Sequence, residues 1–318
     1  MPLNRRQAGA ALTAATFLTV GAGAGVAAVA GFQSVWAVLA HLRPAWLAVV
    51  LVAQLVAVVG YAASYREVLR VRGGPEVHPV WAAARTAMGF GAYLTKGGFA
   101  FDYGILRRST VSREAHQRVL GLGALEYALL APAAWASALV LVLSSARADA
   151  SVTYSWMIGV PVGSVIVLVL LSRRNQLAAR GRRWAQVAAS LSSVALVWDM
   201  ARRPAHWAGF VGMAIYWFGE IASLWAGLRV FGWTASIPAA ILGFATGYAL
   251  TRRTLPLAGA GFTEAFLPFA LHWVGIPLAF GLPGSFVYRC FNVWLPTLAS
   301  APAVWLLSRR RRFPAPTD

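Results

Sequence analysis

The chain has 318 residues, of which 59% are hydrophobic and only 12% charged, and its mean hydropathy is +0.63. These values exclude an ordinary soluble protein and indicate an integral membrane protein. The net charge of +18 fits arginines retained in cytoplasmic loops better than a nucleic-acid-binding surface. The single cysteine, Cys290, excludes an internal disulfide, and no Cys/His pattern has the spacing of a zinc site.

The apolar residues occur in charge-poor stretches of about 20 residues, the length at which a helix crosses about 30 Å of hydrocarbon. Six stretches predict full spans, at residues 8–31, 44–65, 119–143, 152–171, 207–228 and 284–307. Because the first follows Asn4-Arg5-Arg6, a cleaved signal peptide is the alternative to a span there.

The arginines between the spans are strongly biased to one side. If the N-terminus is cytoplasmic, the outside loops hold only Arg43, Arg147 and Arg229, and the inside loops hold many more. Since Lys and Arg are retained in cytoplasmic loops, we expect a multi-pass protein of the cell membrane with both termini in the cytoplasm.

A basic linker, residues 173–204, separates two possible halves of a single transmembrane domain, residues 1–172 and 205–308. Its apolar part, residues 187–198, would form about 18 Å of helix, which is too short to span. We therefore expect an interfacial helix or part of a tilted span, with the linker arginines near anionic lipid head groups.

Two further apolar stretches, residues 81–106 and 237–274, are interrupted by Gly, Pro and charged residues. By the arginine count, the first enters the membrane from the cytoplasm and the second from outside, so both are predicted to be re-entrant. Two short full spans are the alternative for the second. The sequences at the breaks are similar and align Lys96 with Arg252, so the halves are inverted repeats unless the Gly- and Ala-rich composition alone explains the match.

The second break contains Gly259-x-Gly261-x-x-Glu264 after a proline, and Tyr288-Arg289 follows in the last span. This order resembles the C-terminal half of the lysylphosphatidylglycerol synthase transmembrane (flippase-like) family. The resemblance implies a membrane domain that moves aminoacylated phosphatidylglycerol across the bilayer. We expect a standalone form without the soluble aminoacyltransferase domain, so the substrate need not be an aminoacyl lipid.

Ionisable side chains in the middle of a membrane cost about 2.5 to 3.5 kcal/mol on insertion scales, so each needs a partner, a wet cavity or a function. The candidates in the apolar and broken stretches are Arg85, Lys96, Asp102, Glu126, Glu220, Arg252, Arg253, Glu264, His272 and Arg289. We interpret His272 as an ordinary buried histidine, and Asp102 and Glu126 as cavity groups or partners of nearby basic residues.

The basic residues beside the glycine-rich breaks predict a phosphate site, because glycine amides, a half-helix N-terminus and a guanidinium together bind phosphate. The predicted substrate-binding residues are Lys96, Arg252, Arg253, Gly259, Gly261, Glu264 and Arg289. The alternative is that Arg252 and Arg253 simply reach an aqueous surface.

For two carboxylates, Glu220 and Glu264, the sequence allows more than one interpretation. Glu220, near the middle of the fifth span, is a protonated or salt-bridged structural group, a proton-coupled group, or part of a cavity. Glu264 begins a half-helix, where the dipole stabilises a carboxylate by about 0.3 to 1 kcal/mol, and either pairs with Arg289 or contacts substrate.

The sequence thus predicts an all-α polytopic protein that moves an anionic, aminoacylated or polyprenyl-linked lipid, whose head group carries phosphate, between leaflets. Membrane lipids with anionic head groups are the expected partners, and we expect no cofactor; an oligomer is unsupported. The alternatives are a non-catalytic lipid-binding scaffold or regulator and a lipid-modifying enzyme that uses Asp102, Glu220 or Glu264. The enzyme is disfavoured because no acidic pair or metal-ligand cluster falls at the membrane face.

Overall fold

The computed structural model describes residues 5–74, 76–80, 82, 83, 86, 112–249 and 259–294. These ranges contain helices and turns and no β-strand. The α-helices with defined bounds are α1 (Arg5–Ala30), α2 (Phe32–Leu39), α3 (Ala45–Arg70), α4 (Ser112–Leu143), α5 (Ala150–Ser172), α6 (Arg174–Ala179), α7 (Arg182–Ala201), α8 (Trp207–Val230), α9 (Ile237–Phe244), α10 (Phe262–Trp273) and α11 (Leu278–Arg289).

Five of these helices, α1, α3, α4, α5 and α8, are long and apolar enough to cross a membrane. They coincide with the first five predicted spans, and the protein is an all-α polytopic membrane protein. The helical form follows from the solvent, because a backbone in hydrocarbon has no water to bond its amides and carbonyls and must pair them internally.

The structure differs from the predicted elements in three places. The linker helix α7 has 20 residues, because it also takes up part of the basic stretch. Helix α11 begins at Leu278, six residues before the predicted start of the last span, and residues beyond 294 lie outside the described ranges. The short helix α2 was not predicted; it follows Gly31, whose φ of +85° ends α1.

The chain reverses at two ends of the helix bundle. At one, called the Arg43 end, the N–H of Arg43 donates to the Val230 carbonyl at 2.7 Å, and the N–H of Asp149 donates to the Trp273 carbonyl at 2.6 Å. The other, called the Arg70 end, holds the C-terminus of α3 and the N-termini of α4 and α8. Helices α3 and α5 run from the Arg43 end to the Arg70 end, and α4 and α8 run back.

The closest helix pair in the bundle is α3 with α8, and small residues make its close approach possible. A Cβ added to Gly212 would lie 2.7 Å from the carbonyl oxygen of Gly60, and one added to Gly219 would lie 2.5 Å from that of Ala53. Both distances are shorter than a carbon–oxygen contact allows. Lipid tails are as apolar as the helices, so the hydrophobic effect does not drive helices together in a membrane. Small residues let the two backbones come close, and the van der Waals contact that they gain stabilises the pair.

A buried arginine fixes α4 to α3 at the Arg70 end. The Nη1 of Arg118 donates to the carbonyls of Val68 at 3.2 Å, Val71 at 3.1 Å and Leu69. These carbonyls belong to the end of α3, where the helix leaves its last carbonyls without internal partners and favours a cation. The predicted third span began at residue 119 and left Arg118 outside it, whereas Arg118 lies within α4 and its buried side chain caps the end of α3.

Helix α5 is the least packed of the five long helices. None of the residues in its most apolar 18-residue window is buried, and an added Cβ at Gly159 or Gly163 would meet nothing within 4 Å. At its start, Asp149 accepts a hydrogen bond from the N–H of Ser151 at 2.8 Å, and this bond lowers the pKa of the Asp149 carboxyl. Helix α5 therefore presents its apolar surface to lipid.

The second broken segment forms an antiparallel helix pair. Helices α9 and α10 have 8 and 12 residues, too few to span, and Gly243 packs against Leu271 while Gly247 packs against Leu267. Both helices meet the Arg43 end, one entering and one returning, an arrangement shared by the predicted re-entrant form and by the alternative of two short full spans. Residues 250–258 between them, and residues 87–106 of the first broken segment, lie outside the described ranges, so the inverted repeat stays a prediction.

The packing of α3 on α8 predicts that Gly212→Ala destabilises the protein, because the new methyl overlaps backbone atoms of α3. We expect a loss of about 1 to 3 kcal/mol, measured as a lower thermal midpoint in detergent. Gly163→Ala is the matched control, since it adds the same methyl to a lipid-facing site and leaves the midpoint unchanged or higher. Equal midpoints for the two variants would contradict this packing.

Candidate functional site

The most deeply buried carboxylate in the middle of the bundle is Glu220 on α8, with 1% of its surface exposed. The Nδ2 of Asn292 donates to both carboxylate oxygens, at 2.9 Å to Oε1 and 2.8 Å to Oε2. The hydroxyl of Tyr288 donates to Oε2 as well. Helix α8 thus meets α11 and the turn that follows α11 through one fully engaged carboxylate.

Two π-helical turns carry side chains of the hydrogen-bond network around this carboxylate. Tyr248 lies in the turn Ala245–Ala249, which continues α9, and Asn292 lies in the turn Cys290–Trp294, which continues α11. The Tyr248 hydroxyl donates to the Oδ1 of Asn292 at 2.6 Å, so the Asn292 amide accepts from one turn and donates to Glu220. A π-turn inserts an extra residue into a helix, redirects its side chains, and is frequent at functional sites.

An ion pair lies beside this network. The Nε of Arg289 donates to Oε1 of Glu264 at 2.8 Å, with 3% and 2% of the two residues exposed. The other Glu264 oxygen accepts the N–H of Gly261 at 2.6 Å, which caps the N-terminus of α10. Tyr248 joins the ion pair to the network, because the Arg289 guanidinium lies 5.6 Å from the centre of its ring.

Two features of the structure favour glycine at position 261. Its φ of +82° is a conformation that other residues adopt only with strain, and an added Cβ would lie 2.9 Å from the Cβ of Leu18 on α1. Gly259 also has a positive φ, of +70°. These two glycines shape the turn that places Glu264 at the start of α10, next to Arg289.

These side chains are called the polar cluster below, and they come from α8, α10, α11 and the two π-turns. Its members are Glu220, Tyr248, Glu264, Tyr288, Arg289 and Asn292. Two carboxylates and one guanidinium in contact with neutral donors give the cluster one formal negative charge when every group is ionised. A charge buried without its own counterion costs several kcal/mol, so the charge state of this cluster is sensitive to anything that enters it.

The structure brings together five of the residues that the sequence singled out, one of which is Glu220 in the polar cluster. Glu264 and Arg289 form the predicted pair, and Gly259 and Gly261 form the turn beside them. Lys96, Asp102, Arg252 and Arg253 lie outside the described residues, so their roles stay predictions.

Two other candidates lie away from the cluster or differ from the interpretation. Glu126 is buried on α4, and its main-chain carbonyl accepts the indole N–H of Trp217 at 2.9 Å. The interpretation of His272 as a buried histidine was wrong, because it is exposed in the last turn of α10 at the Arg43 end. The helix ends there, and its final side chains reach past the packed core.

Sequence reasoning missed Tyr248 and Asn292, which complete the network around Glu220. The signal was weak but present: Asn292 is a strongly polar residue in an otherwise apolar stretch, where an amide needs partners. Tyr248 lies in the glycine-rich sequence that was compared with the first break, but only for its backbone and basic residues. Neither residue type alone predicts which carboxylate it reaches.

A groove lies beside one of the π-turns. It has a volume of about 490 Å³ and is lined by Ser151, Val152, Ser155, Trp156, Gly159, Val160 and Thr246. The Trp156 indole N–H donates to Thr246 Oγ1 at 2.9 Å, which ties α5 to the π-turn that carries Tyr248. Because α5 presents its surface to lipid, this groove borders both the hydrocarbon and the element that leads to the polar cluster.

No protein-family model matches the sequence, and no curated protein matches it significantly. Within the described ranges, no group of His, Cys, Asp and Glu side chains is arranged to hold a metal ion. The polar cluster and the groove are the features of the described residues that bear on the chemistry of the site.

Because the ion pair between Glu264 and Arg289 is buried, we expect removal of one partner to lower the free energy of unfolding strongly. Arg289→Met leaves the Glu264 carboxylate buried without its cation, and we expect a loss of about 3 to 5 kcal/mol. Adding Glu264→Gln to Arg289→Met removes the stranded charge and recovers part of that loss, measured by thermal denaturation in a double-mutant cycle.

The exposed pair of Arg72 and Asp199 at the Arg70 end is the control for this cycle. Asp199→Asn changes stability by about 0 to 1 kcal/mol, because solvent screens an exposed pair. Arg289→Met with a loss as small as that of Asp199→Asn would show that the buried pair is not required.

Proposed function

We propose that the protein is a transporter that moves a lipid with a phosphate-bearing head group between the leaflets of the cell membrane. The observation that carries the proposal is the polar cluster, in which an ion pair and a buried carboxylate meet two π-turns and the broken segment α9–α10 at mid-depth in an apolar bundle. Ionisable groups and broken helices are expensive in a membrane and are typical of substrate and ion pathways in transporters.

The ion pair supports an anionic substrate. The Gly261 N–H and the Arg289 guanidinium converge on the carboxylate of Glu264 at the N-terminus of α10. A backbone N–H at a helix start and a guanidinium are also the groups that recognise a phosphate. In this proposal Glu264 holds the anion position in the substrate-free state, and a lipid phosphate replaces it, aided by the predicted cations Lys96, Arg252 and Arg253.

The groove supports a lipid over a water-soluble anion. It is lined by small and apolar residues, lies between lipid-facing α5 and the π-turn Ala245–Ala249, and so offers acyl or prenyl tails a place beside the cluster. The head group would cross through the cluster while the tails stay in hydrocarbon. Movement of α9–α10 against α8 would then expose the cluster to the other leaflet.

The arginine distribution supports the orientation. Arg43, Arg147 and Arg229, the arginines predicted to be outside, belong to the loops and helix ends of the Arg43 end. We therefore propose that the Arg43 end faces outward and that both termini are cytoplasmic. An inside-negative potential favours outward movement of a head group that crosses with one net negative charge, by about 2.3 kcal/mol per 100 mV.

The proposal predicts that Glu220→Gln and Arg252→Ala abolish lipid translocation in proteoliposomes, because each alters the charge of the site. The assay measures leaflet-resolved movement of labelled anionic, aminoacylated and polyprenyl phosphate lipids. Asp199→Asn, an exposed change at the Arg70 end, is expected to keep wild-type rates. Wild-type rates in both site variants would refute the site, and lipid binding without translocation by the wild-type protein would indicate a scaffold.

The groove predicts a second, steric effect. Gly159→Trp fills the groove, so we expect translocation to fall by about tenfold or more, which corresponds to at least about 1.4 kcal/mol of barrier. Gly163→Trp adds the same side chain one helical turn further along α5, outside the groove lining and with open space around it. Equal rates for the two variants would exclude the groove from the lipid path.

A further inference from the structure

Glu220 is enclosed by protein on every described side. It is 1% exposed, it does not line the groove, and its two oxygens are occupied by Tyr288 and Asn292. A substrate head group would have to displace both donors to reach it. The geometry therefore separates Glu220 from the phosphate-binding side of the cluster, which is formed by Arg289, Gly261 and Glu264.

Among the described residues, the cation that acts on Glu220 is Arg289, which is ion-paired with Glu264. From α11 come Tyr288 and Arg289, and Arg289 is engaged by Glu264 of α10. From α3 comes Gln54, whose side-chain amide hydrogen-bonds the carboxylate.

The two π-turns add Tyr248 and Asn292, of which only the phenol can titrate and neither is a cation. Every described hydrogen bond to the Glu220 carboxylate therefore comes from a neutral donor. An ionised carboxylate in such a setting is held by hydrogen bonds and by a cation that it shares with Glu264, and protonation removes the charge that burial penalises.

A protonated Glu220 would also find an acceptor. Gln54, 4% exposed, lies next to the carboxylate, and its side-chain amide stabilises the ionised form through a hydrogen bond. Because the two ends of a glutamine amide are nearly isosteric, rotation of the amide would present Oε1 to the proton on Glu220. The Tyr288 hydroxyl can rotate in the same way. Both charge states of Glu220 are thus satisfied by the same neighbours, which is what a reversible proton site requires.

We infer that Glu220 is a proton-binding site that couples transport to proton movement, and that one proton enters with each anionic head group. The step is a transfer of H⁺ from water to the Glu220 carboxylate and back to water, with no other bond made or broken. This inference rests on the proposed function. A phosphate that replaces Glu264 at Arg289 adds negative charge to the cluster and so favours protonated Glu220, and by linkage the proton favours phosphate binding.

The proton site is tested directly by infrared difference titration of the full-length purified protein in phosphatidylcholine nanodiscs. The wild type should show a C=O band from a buried protonated carboxyl that disappears as pH rises. The band should be absent in Glu220→Gln and retained in Glu126→Gln, the matched change of another buried carboxylate. An unchanged titration in Glu220→Gln would overturn the inference.

A second variant keeps the test valid if Glu220→Gln does not fold. Gln54→Leu preserves Glu220 but removes a hydrogen bond that stabilises its ionised form, so the midpoint of the band should move to higher pH. In nanodiscs that contain phosphatidylglycerol, the wild-type midpoint should move to higher pH by about one unit, a tenfold change in proton affinity. Midpoints that respond to neither the variant nor the anionic lipid would overturn the inference.

Coupling is measured in proteoliposomes with an entrapped pH dye, which should report proton movement during translocation by the wild type and not by Glu220→Gln. Translocation without proton movement in the wild type would overturn the coupling and leave the proposed transport standing. No translocation of any tested lipid, with the Glu220 band still titrating, would instead remove the proposed function and the coupling with it, while the proton site remained.

Discussion

The absence of water in the middle of a membrane is the constraint on which this structure depends. A polar group there must find its partners inside the protein or cost several kcal/mol. The polar cluster meets that condition with a continuous set of bonds from Tyr248 through Asn292 to Glu220, and a separate ion pair between Glu264 and Arg289. Because these residues come from three helices and two π-turns, satisfying them also fixes how α8, α10 and α11 pack.

The rest of the bundle supports this arrangement through close helix contacts. Helices α3 and α8 approach so closely at Gly60 and Gly212 that their backbones nearly touch, and this rigid pair carries Glu220. On the other side, α1 reaches the turn at Gly261, where a side chain on that glycine would collide with Leu18. The α3–α8 pair joins two long helices, whereas α9 and α10 form a short pair.

The sequence predicted two parts of the site. One depends on residues close together in the chain, and the other on the high free-energy cost of burying a charged side chain. Glu264 was recognisable because a carboxylate three residues after Gly261 suits a helix start, and Arg289 was the buried cation within reach of it. Tyr248 and Asn292 were not recognisable, since their contact spans 44 residues of sequence and depends on two π-turns. Arg118 was misplaced for a related reason: its partners are carbonyls at the end of α3, and no residue type signals a carbonyl.

The sequence by itself determined that this is a helical membrane protein, where its long helices lie, and that a broken segment follows the fifth span. These properties depend on the local cost of placing each residue in hydrocarbon, which composition and length report directly. Tertiary structure decided which buried charges meet, that Glu264 takes Arg289, and that Glu220 is left with neutral donors. Such pairings depend on helix rotation and close backbone approach over distances that no local pattern encodes.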